Sequence, residues 1–211
     1  MNIGIIGTGN IGSNAARLFT VAGHKVAISN SRGPQTLKEL SEELGDNATA
    51  LPIEETIVFG DVILIAIPFG RYTELPVNVW DNKIVIDANN YYPERDGQFP
   101  ELDNGSTTSS EMLEKHLGGA RLVKGFNTIW FEHLKSQGDA SLPTDKRRAV
   151  FIAGDDSEAK AIVAKLIEDI GFAAVDTGFL HDGGKKQQPG TEIYNITINA
   201  RDAAAAIAAG V

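Results

Sequence analysis

The chain has 211 residues, enough for one large domain with a full hydrophobic core. It contains no cysteine, which excludes disulfides, thiolate metal sites and thiol nucleophiles. Its formal net charge is −9, and such a surface repels polyanions, so we expect no nucleic-acid partner. No apolar run reaches the roughly 18–20 residues that a bilayer requires, and glycines interrupt the first apolar run, so we expect no membrane segment, no signal peptide and a cytoplasmic location.

Short apolar runs alternate with segments of helical spacing along the chain. Strands are predicted at residues 2–6, 26–28, 48–51, 61–67, 83–87, 120–124, 149–153 and 172–176. Helices are predicted at residues 11–22, 35–44, 53–59, 109–117 and 157–170. Residues 88–108 are rich in turn formers, a polar loop precedes residue 149, and the tail Ala203–Ala209 is either a frayed helix or coil.

This rhythm predicts an α/β fold of the Rossmann type, with a doubly wound, mainly parallel sheet. We interpret residues 1–211 as one domain, in which residues 1–125 form the dinucleotide-binding core. Residues 126–211 are expected to be an αβ extension that completes the sheet and the site. Only about 35 residues follow the last strand, too few for a separate helical substrate domain.

A glycine pattern stands at the start of the chain. It matches G-x-G-x-x-G, follows the first predicted strand and opens the first helix, the context in which this pattern binds dinucleotides. Its glycines permit a tight turn, close approach of the backbone to a pyrophosphate, and helix packing on the strand, while the helix start stabilises phosphate. The alternative is a glycine turn without a ligand. The predicted pyrophosphate-binding residues are Gly7, Thr8, Gly9, Asn10 and Ile11.

The end of the second strand predicts which dinucleotide binds. A carboxylate at this place would take the ribose 2′-hydroxyl of NAD, but the chain has Asn30, Ser31 and Arg32 there. A guanidinium suits a 2′-phosphate, and the neighbouring amide and hydroxyl are predicted to add donors. We therefore predict that the chain binds NADP(H). The alternative is that Arg32 is a solvated surface cation.

Two further strand ends are expected to line the nucleotide crevice, which lies at the carboxyl edge of such a sheet. Ile67 and Pro68 are predicted to lie against the ribose or the nicotinamide, and Asn89 to hydrogen-bond on the nicotinamide side. The alternative for both segments is a turn that only caps the strand.

Catalytic and metal-binding side chains are not evident. The four histidines, His24, His116, His133 and His181, do not stand in metal-ligand spacing, and no nucleophile elbow or P-loop is present. We therefore predict neither a metal site nor a catalytic acid or base. Substrate is expected to lie on the nucleotide domain itself or against a partner subunit, in a homodimer.

Several segments resemble the NADP oxidoreductase family that includes the coenzyme F420-dependent NADP reductases, and more distantly the reductase domain of STEAP-type metalloreductases. The resemblance covers nearly the whole chain. It depends on residues 5–12, 30–32, 123–129, 153–156, 171–172 and 176–178.

The resemblance implies that residues 8–11 hold the pyrophosphate and that Ser31 and Arg32 hold the 2′-phosphate. It also implies that the turn Phe126-Asn127-Thr128 lies near the nicotinamide, where a second ring system would stack as substrate; the alternative for Asn127 is a loop-stabilising amide. The segment Gly183–Gly190 departs from the archaeal F420 reductases, and as a loop it would either cover an active site, across a dimer, or be a flexible surface connection.

We predict hydride transfer between NADP(H) and a small-molecule acceptor, either coenzyme F420 or a flavin, since such rings accept hydride without a protein acid. One alternative is an NADPH-dependent reductase of a small carbonyl or imine, with Tyr91 or Tyr194 as the acid. Another is a non-catalytic NADPH-binding sensor.

Overall fold

The computed structural model describes residues 1–210, whose strands form a single eight-stranded sheet. The strands are β1 (Asn2–Ile6), β2 (Lys25–Ser29), β3 (Ala48–Ala50), β4 (Val62–Ile65), β5 (Ile84–Asp87), β6 (Arg121–Gly125), β7 (Ala149–Ala153) and β8 (Ala173–Asp176). Their spatial order is β3-β2-β1-β4-β5-β6-β7-β8. The first six are parallel, β7 runs antiparallel to β6, and β8 runs parallel to β7. The predicted Rossmann-type, mainly parallel sheet is therefore confirmed.

Helices cover both faces of this sheet. They are α1 (Asn10–Val21), α2 (Lys38–Leu44), α3 (Ile53–Phe59), α4 (Pro93–Asp96), α5 (Pro100–Asp103), α6 (Ser109–Leu117), α7 (Phe131–Ser136), α8 (Ser157–Asp169), α9 (Leu180–Lys186) and α10 (Ala200–Ala208). Short 3-10 turns, Pro34–Leu37 and Phe69–Glu74, follow β2 and β4. The alanine-rich tail is thus helical.

The core has one apolar layer on each face of the sheet. On one face Phe19 of α1 and Val163 of α8 pack with residues of β1 and β7, and on the other Leu113 of α6 packs with β4 and β5. Every residue of β4 and β5 is buried, which explains their uninterrupted apolar sequences. Because β1 to β6 run parallel, their carboxyl ends lie together at one edge of the sheet.

Two segments predicted as loops are helical. Helix α7 lies in the passage after β6 that was predicted as a polar loop. Leu134 is the one buried residue of this helix, and the amide of Asn14 fixes the helix start by donating to the Phe131 carbonyl at 3.0 Å. Helix α9 includes the first part of the predicted loop Gly183–Gly190. A Cβ at Gly183 would lie 2.9 Å from the backbone of Thr177, so glycine is required where α9 approaches the end of β8. The first part of this segment is therefore helical and packs against the end of β8 in the same chain.

The structure carries neither a membrane-spanning helix nor a metal-ligand cluster in the part of the chain that it describes. No helix within residues 1–210 is long and apolar enough to cross a membrane. No group of three or more His, Asp or Glu side chains in these residues is arranged to hold a metal ion.

Candidate functional site

The glycine turn between β1 and α1 is shaped by close backbone contacts. Gly7 has φ +99°, and a Cβ there would lie 2.2 Å from the carbonyl oxygen of Ala66. A Cβ at Gly12 would lie 1.9 Å from the carbonyl oxygen of Gly7. Gly9 differs, because φ is −73° and nothing lies within 4 Å of the place of its Cβ. Gly7 and Gly12 therefore shape the turn, whereas Gly9 leaves open space at the helix start, as a bound pyrophosphate requires.

A cavity of about 440 Å³ lies beside this turn, where β2 and β4 end on either side of β1. We call it the β2–β4 cavity. Apolar side chains, among them Ile53 and Leu75, form part of its wall. Of the predicted site residues, it brings together Gly7, Thr8, Gly9, Asn30, Ser31, Arg32, Ile67 and Pro68.

The turn after β2 presents Arg32 to this cavity. Within residues 1–210 the Arg32 guanidinium has no hydrogen-bond or ion-pair partner, so its donors are available to an anion. Asn30 lines the cavity as predicted and also makes bonds within the turn: its Oδ1 accepts from the Arg32 backbone N–H at 2.9 Å, and its Nδ2 donates to Thr36 Oγ1 at 3.0 Å. The Asn30 amide therefore holds the turn that carries Arg32.

A second arginine in the β2–β4 cavity was missed by the sequence analysis. Arg71, on the 3-10 turn after β4, forms a two-pronged ion pair with Glu74, with Nε–Oε1 at 2.9 Å and Nη2–Oε2 at 2.6 Å. Only seven Lys or Arg occur in residues 1–105, so a basic residue a few positions after a predicted strand end was a usable signal. The pair neutralises Arg71, which leaves Arg32 as the unpaired cation of this cavity among the described residues.

A second cavity, of about 470 Å³, adjoins the first and shares Gly9, Ile67 and Pro68 with it. We call it the β4–β6 cavity, because the segments after β4, β5 and β6 supply much of its wall. The predicted residues Asn10, Ile11, Asn89, Phe126 and Asn127 line it. Thr128 does not: it is buried behind the wall, and its carbonyl accepts from the Asn195 backbone N–H at 2.9 Å.

A buried charged cluster fixes the backbone at Asn89. Asp87 accepts from the Asn89 N–H at 2.9 Å and from the hydroxyl of Ser110 at 2.6 Å. The ammonium of Lys124 lies 3.4 Å from the Asp87 carboxylate and donates to the Asn89 carbonyl at 3.1 Å. The ion pair is almost completely enclosed, and its partners satisfy both charges, as burial demands. No pattern in the sequence indicates this support.

The turn after β6 contributes its backbone and one amide to the β4–β6 cavity. Phe126 has φ +64°, and its ring is fully buried and packs edge-on against Phe19, with 6.3 Å between the ring centroids. The Phe126 ring is thus a core group rather than a stacking surface. Asn127 donates from Nδ2 to the carbonyl of Gln187, just after α9, at 2.7 Å. Helix α9 and Gln187 therefore support the cavity wall from the same chain.

Two tyrosine hydroxyls meet in the β4–β6 cavity. Tyr92 and Tyr194 hydrogen-bond to each other, and the Arg95 guanidinium lies 4.9 Å from the centroid of the Tyr92 ring. Burial and the bond to Tyr92 raise the pKa of Tyr194 well above its usual range, so Tyr194 remains protonated. The prediction of Tyr91 as an acid needs correction, since its hydroxyl donates to Asp103 at 2.9 Å and Tyr91 does not line this cavity.

Trp130 supplies an exposed aromatic surface at the β4–β6 cavity. Its residue surface is 48% exposed, and its ring contacts Phe131 and His133 edge-on, at 5.6 and 5.0 Å between centroids. Most large apolar side chains in this protein are enclosed, so an indole exposed at a cavity is available for ring stacking. The sequence around Trp130 predicts only a polar loop, so this exposed ring was not predicted.

Sequence comparison finds similarity to NADP-dependent oxidoreductases in the first part of the chain. Residues 2–91 match the family model described as NADP oxidoreductase coenzyme F420-dependent. The metalloreductase STEAP2 of Mus musculus is 28% identical over 188 residues, which cover 85% of this chain and 34% of that protein. The chain therefore spans about a third of the length of the curated relatives that it matches.

Solved structures show the same fold over nearly the whole chain. A protein of Sinorhizobium meliloti without an assigned function is 32% identical with a TM-score of 0.82, over 94% of this chain and 95% of that one. A protein of Arthrobacter sp. FB24, described as an F420-dependent NADP reductase, is 23% identical with a TM-score of 0.74, over 94% and 99% of the two chains. The second likeness shows the fold alone.

Proposed function

We propose that this chain, whose residues 2–91 match the family described as NADP oxidoreductase coenzyme F420-dependent, transfers hydride between NADP(H) and a flavin-like or deazaflavin acceptor. The observation that carries the proposal is the pair of adjoining cavities at the carboxyl edge of the sheet. One presents an unpaired arginine and the other an exposed indole. A dinucleotide and a planar acceptor are the ligands that these two cavities suit.

The residues of the β2–β4 cavity suit the adenosine end of NADP(H). The open backbone at Gly9 would receive the pyrophosphate, and Arg32 would form a charge-assisted bond with the 2′-phosphate. The apolar side chains of Ile53 and Leu75 would cover the base. When bound, the nicotinamide supplies hydride, while the protein holds and orients both rings and limits their contact with water.

The acceptor is expected to stack on Trp130. Replacing Trp130 with alanine should raise KM for a flavin or F420 by about 5- to 160-fold, since stacking of a base on an aromatic ring is worth about 1–3 kcal/mol. Trp130→Phe should recover most of this loss. Steady-state kinetics at saturating NADPH measures the effect, and Phe179→Ala, which removes an exposed ring outside both cavities, is the control. An unchanged KM in Trp130→Ala would place the acceptor elsewhere.

A second candidate function is reduction of a small carbonyl or imine. The observation that favours it is the hydroxyl pair of Tyr92 and Tyr194, which supplies a proton donor inside the β4–β6 cavity. If this function holds, Tyr92→Phe and Tyr194→Phe should each lower kcat by about 100-fold or more, the scale of general acid catalysis. Tyr91→Phe is the matched control, because Tyr91 lies outside the cavity. Rates near wild type in all three variants would favour transfer to a flavin-like ring.

The acceptor is tested by measuring NADPH consumption with coenzyme F420, FMN, FAD and ferric chelates. The proposed function requires fast oxidation with a flavin or deazaflavin, and ferric chelates alone would be reduced slowly. Failure of every acceptor, together with tight NADPH binding, would instead support the non-catalytic sensor.

A further inference from the structure

Three titratable side chains connect α9 to α6 outside both cavities. Nδ1 of His181 lies 2.9 Å from Oε1 of the Glu111 carboxylate, and Nε2 of His181 lies 2.8 Å from Nζ of Lys185. We call this group the α6–α9 triad. None of its members lines the β2–β4 or the β4–β6 cavity, so the proposed hydride transfer leaves the triad without a role.

The partners of His181 determine which of its ring nitrogens carries the proton. A lysine ammonium has donors only, so Nε2 must accept from Lys185. A carboxylate has acceptors only, so Nδ1 must donate to Glu111, whose two oxygens lie 2.9 and 3.0 Å away. The ring in this arrangement is therefore neutral, and the lone pair of Nε2 is directed at the Lys185 nitrogen.

The start of α6 holds Glu111 in place. Its Oε2 accepts from the Thr108 backbone N–H at 2.7 Å and from the Thr107 hydroxyl at 3.1 Å. Partial burial raises the pKa of Glu111, but hydrogen bonds from His181 and Thr108 lower it further, so the pKa lies below its usual value. The carboxylate is therefore charged and oriented, and it stabilises a proton that the imidazole takes up.

The partner of Lys185 is chemically different from a carboxylate. Lys160, for comparison, donates to the carboxylate of Asp176 at 2.8 Å, which stabilises the ammonium form. Lys185 donates to a neutral imidazole, which is a base that can take a proton from the nitrogen. A nucleophile in hydrogen-bond contact with a base, itself oriented by a third group, is the arrangement that activates nucleophiles in covalent catalysis.

The α6–α9 triad is open to small reagents. The His181 side chain is 40% exposed, and Lys185 is half-buried rather than enclosed. Glu111 and Thr107 line a separate cavity of about 630 Å³, so open space also reaches the carboxylate end of the triad. A small electrophile can therefore approach Lys185 while the protein is folded.

We propose that Lys185 is a site of covalent acylation, at which its amine takes an acyl group from a thioester. After the ammonium has lost one proton to water, Nζ attacks the carbonyl carbon of the thioester and a C–N bond forms. The excess proton on the nitrogen passes to His181 Nε2, the C–S bond breaks, and the departing thiolate takes up this proton. Lys185 becomes a neutral amide, and one proton is released in all. This inference goes beyond the proposed function and does not depend on it.

The first test uses the wild-type protein and a small thioester without a nucleotide, N,S-diacetylcysteamine, which the nucleotide crevice has no group to recognise. Peptide mass spectrometry measures the rate of acetylation at each lysine. We expect Lys185 to react at least about tenfold faster than Lys25 or Lys135, a small part of what a positioned base contributes. Both comparison lysines are more exposed than Lys185, so accessibility favours them. Equal rates at the three lysines would overturn the proposal.

The second test replaces His181 with glutamine, which separates a base from a merely structural partner. The glutamine amide can still accept a hydrogen bond from Lys185 but cannot take up its proton. Acetylation of Lys185 should fall to about the rate of Lys25, and the Lys25 rate, an internal control, should not change. Circular dichroism shows whether the variant is folded. Fast acetylation of Lys185 that persists in folded His181→Gln would contradict the assignment of His181 as the base.

Discussion

Replacing Arg32 with alanine is expected to weaken NADPH binding by about 1.5–3 kcal/mol, the scale of a hydrogen bond to a charged group. NADH binding should change little, because NADH lacks the 2′-phosphate that we propose Arg32 binds. The reason is that only one of the two arginines of the β2–β4 cavity has an ion-pair partner. Arg71 is neutralised by Glu74, whereas the Arg32 guanidinium has no partner in the described part of the chain.

Titration of both dinucleotides against wild type and Arg32→Ala measures this effect. Lys25→Ala is the matched control, since it removes an exposed positive charge from the opposite end of β2. Because exposed phosphate contacts are screened by salt, the difference between the two proteins should shrink as the salt concentration rises. Equal losses for NADPH and NADH in Arg32→Ala would show that the 2′-phosphate is held elsewhere.

Alanine substitutions at Gly12 and Gly9 should separate folding from cofactor binding. A Cβ at Gly12 would lie 1.9 Å from the Gly7 carbonyl oxygen, so Gly12→Ala must displace backbone where α1 meets β1. We expect this variant to lower the free energy of unfolding by about 2–3 kcal/mol, as overpacking at a backbone contact does. NADPH binding should be lost with it.

Gly9→Ala should leave the stability of the fold almost unchanged and weaken only cofactor binding. The conformation of Gly9 is open to alanine, and nothing lies within 4 Å of the added Cβ, so the free energy of unfolding should change by less than about 0.5 kcal/mol. The methyl group would occupy the space that a pyrophosphate needs, and NADPH affinity should fall by at least about tenfold. Urea denaturation and NADPH titration, run on both variants, give the comparison. Normal NADPH binding by the Gly9→Ala variant would show that the pyrophosphate does not bind at this turn.

The parts of the fold that the sequence predicted well are those with local patterns. The apolar run of β4 and the glycine pattern before α1 each indicate their structure within a few residues, and both are present. Helix α9 was missed because its glycines are typical of a loop. The role of Gly183, which allows close approach to Thr177 at the end of β8, depends on tertiary packing that a local pattern does not carry.

In the candidate site, too, the sequence indicates some residues and not others. Arg32 follows directly from the end of β2, so its place was predictable. The hydroxyl pair joins residues 102 positions apart, Tyr92 and Tyr194, and no spacing in the sequence indicates that they meet. The exposure of the Trp130 ring likewise depends on tertiary packing. The same holds for Asn89 and Asn127, each of which has one buried polar side-chain atom without a partner among the described residues.

The central claim is that this crevice binds NADP(H) in preference to NAD(H). Parallel titration of the wild-type protein with NADPH and NADH tests it most directly, at one salt concentration and pH. We predict that NADPH binds at least about tenfold more tightly, as one charge-assisted contact to the 2′-phosphate requires. Absence of NADPH binding, or equal affinity for the two dinucleotides, would contradict the account.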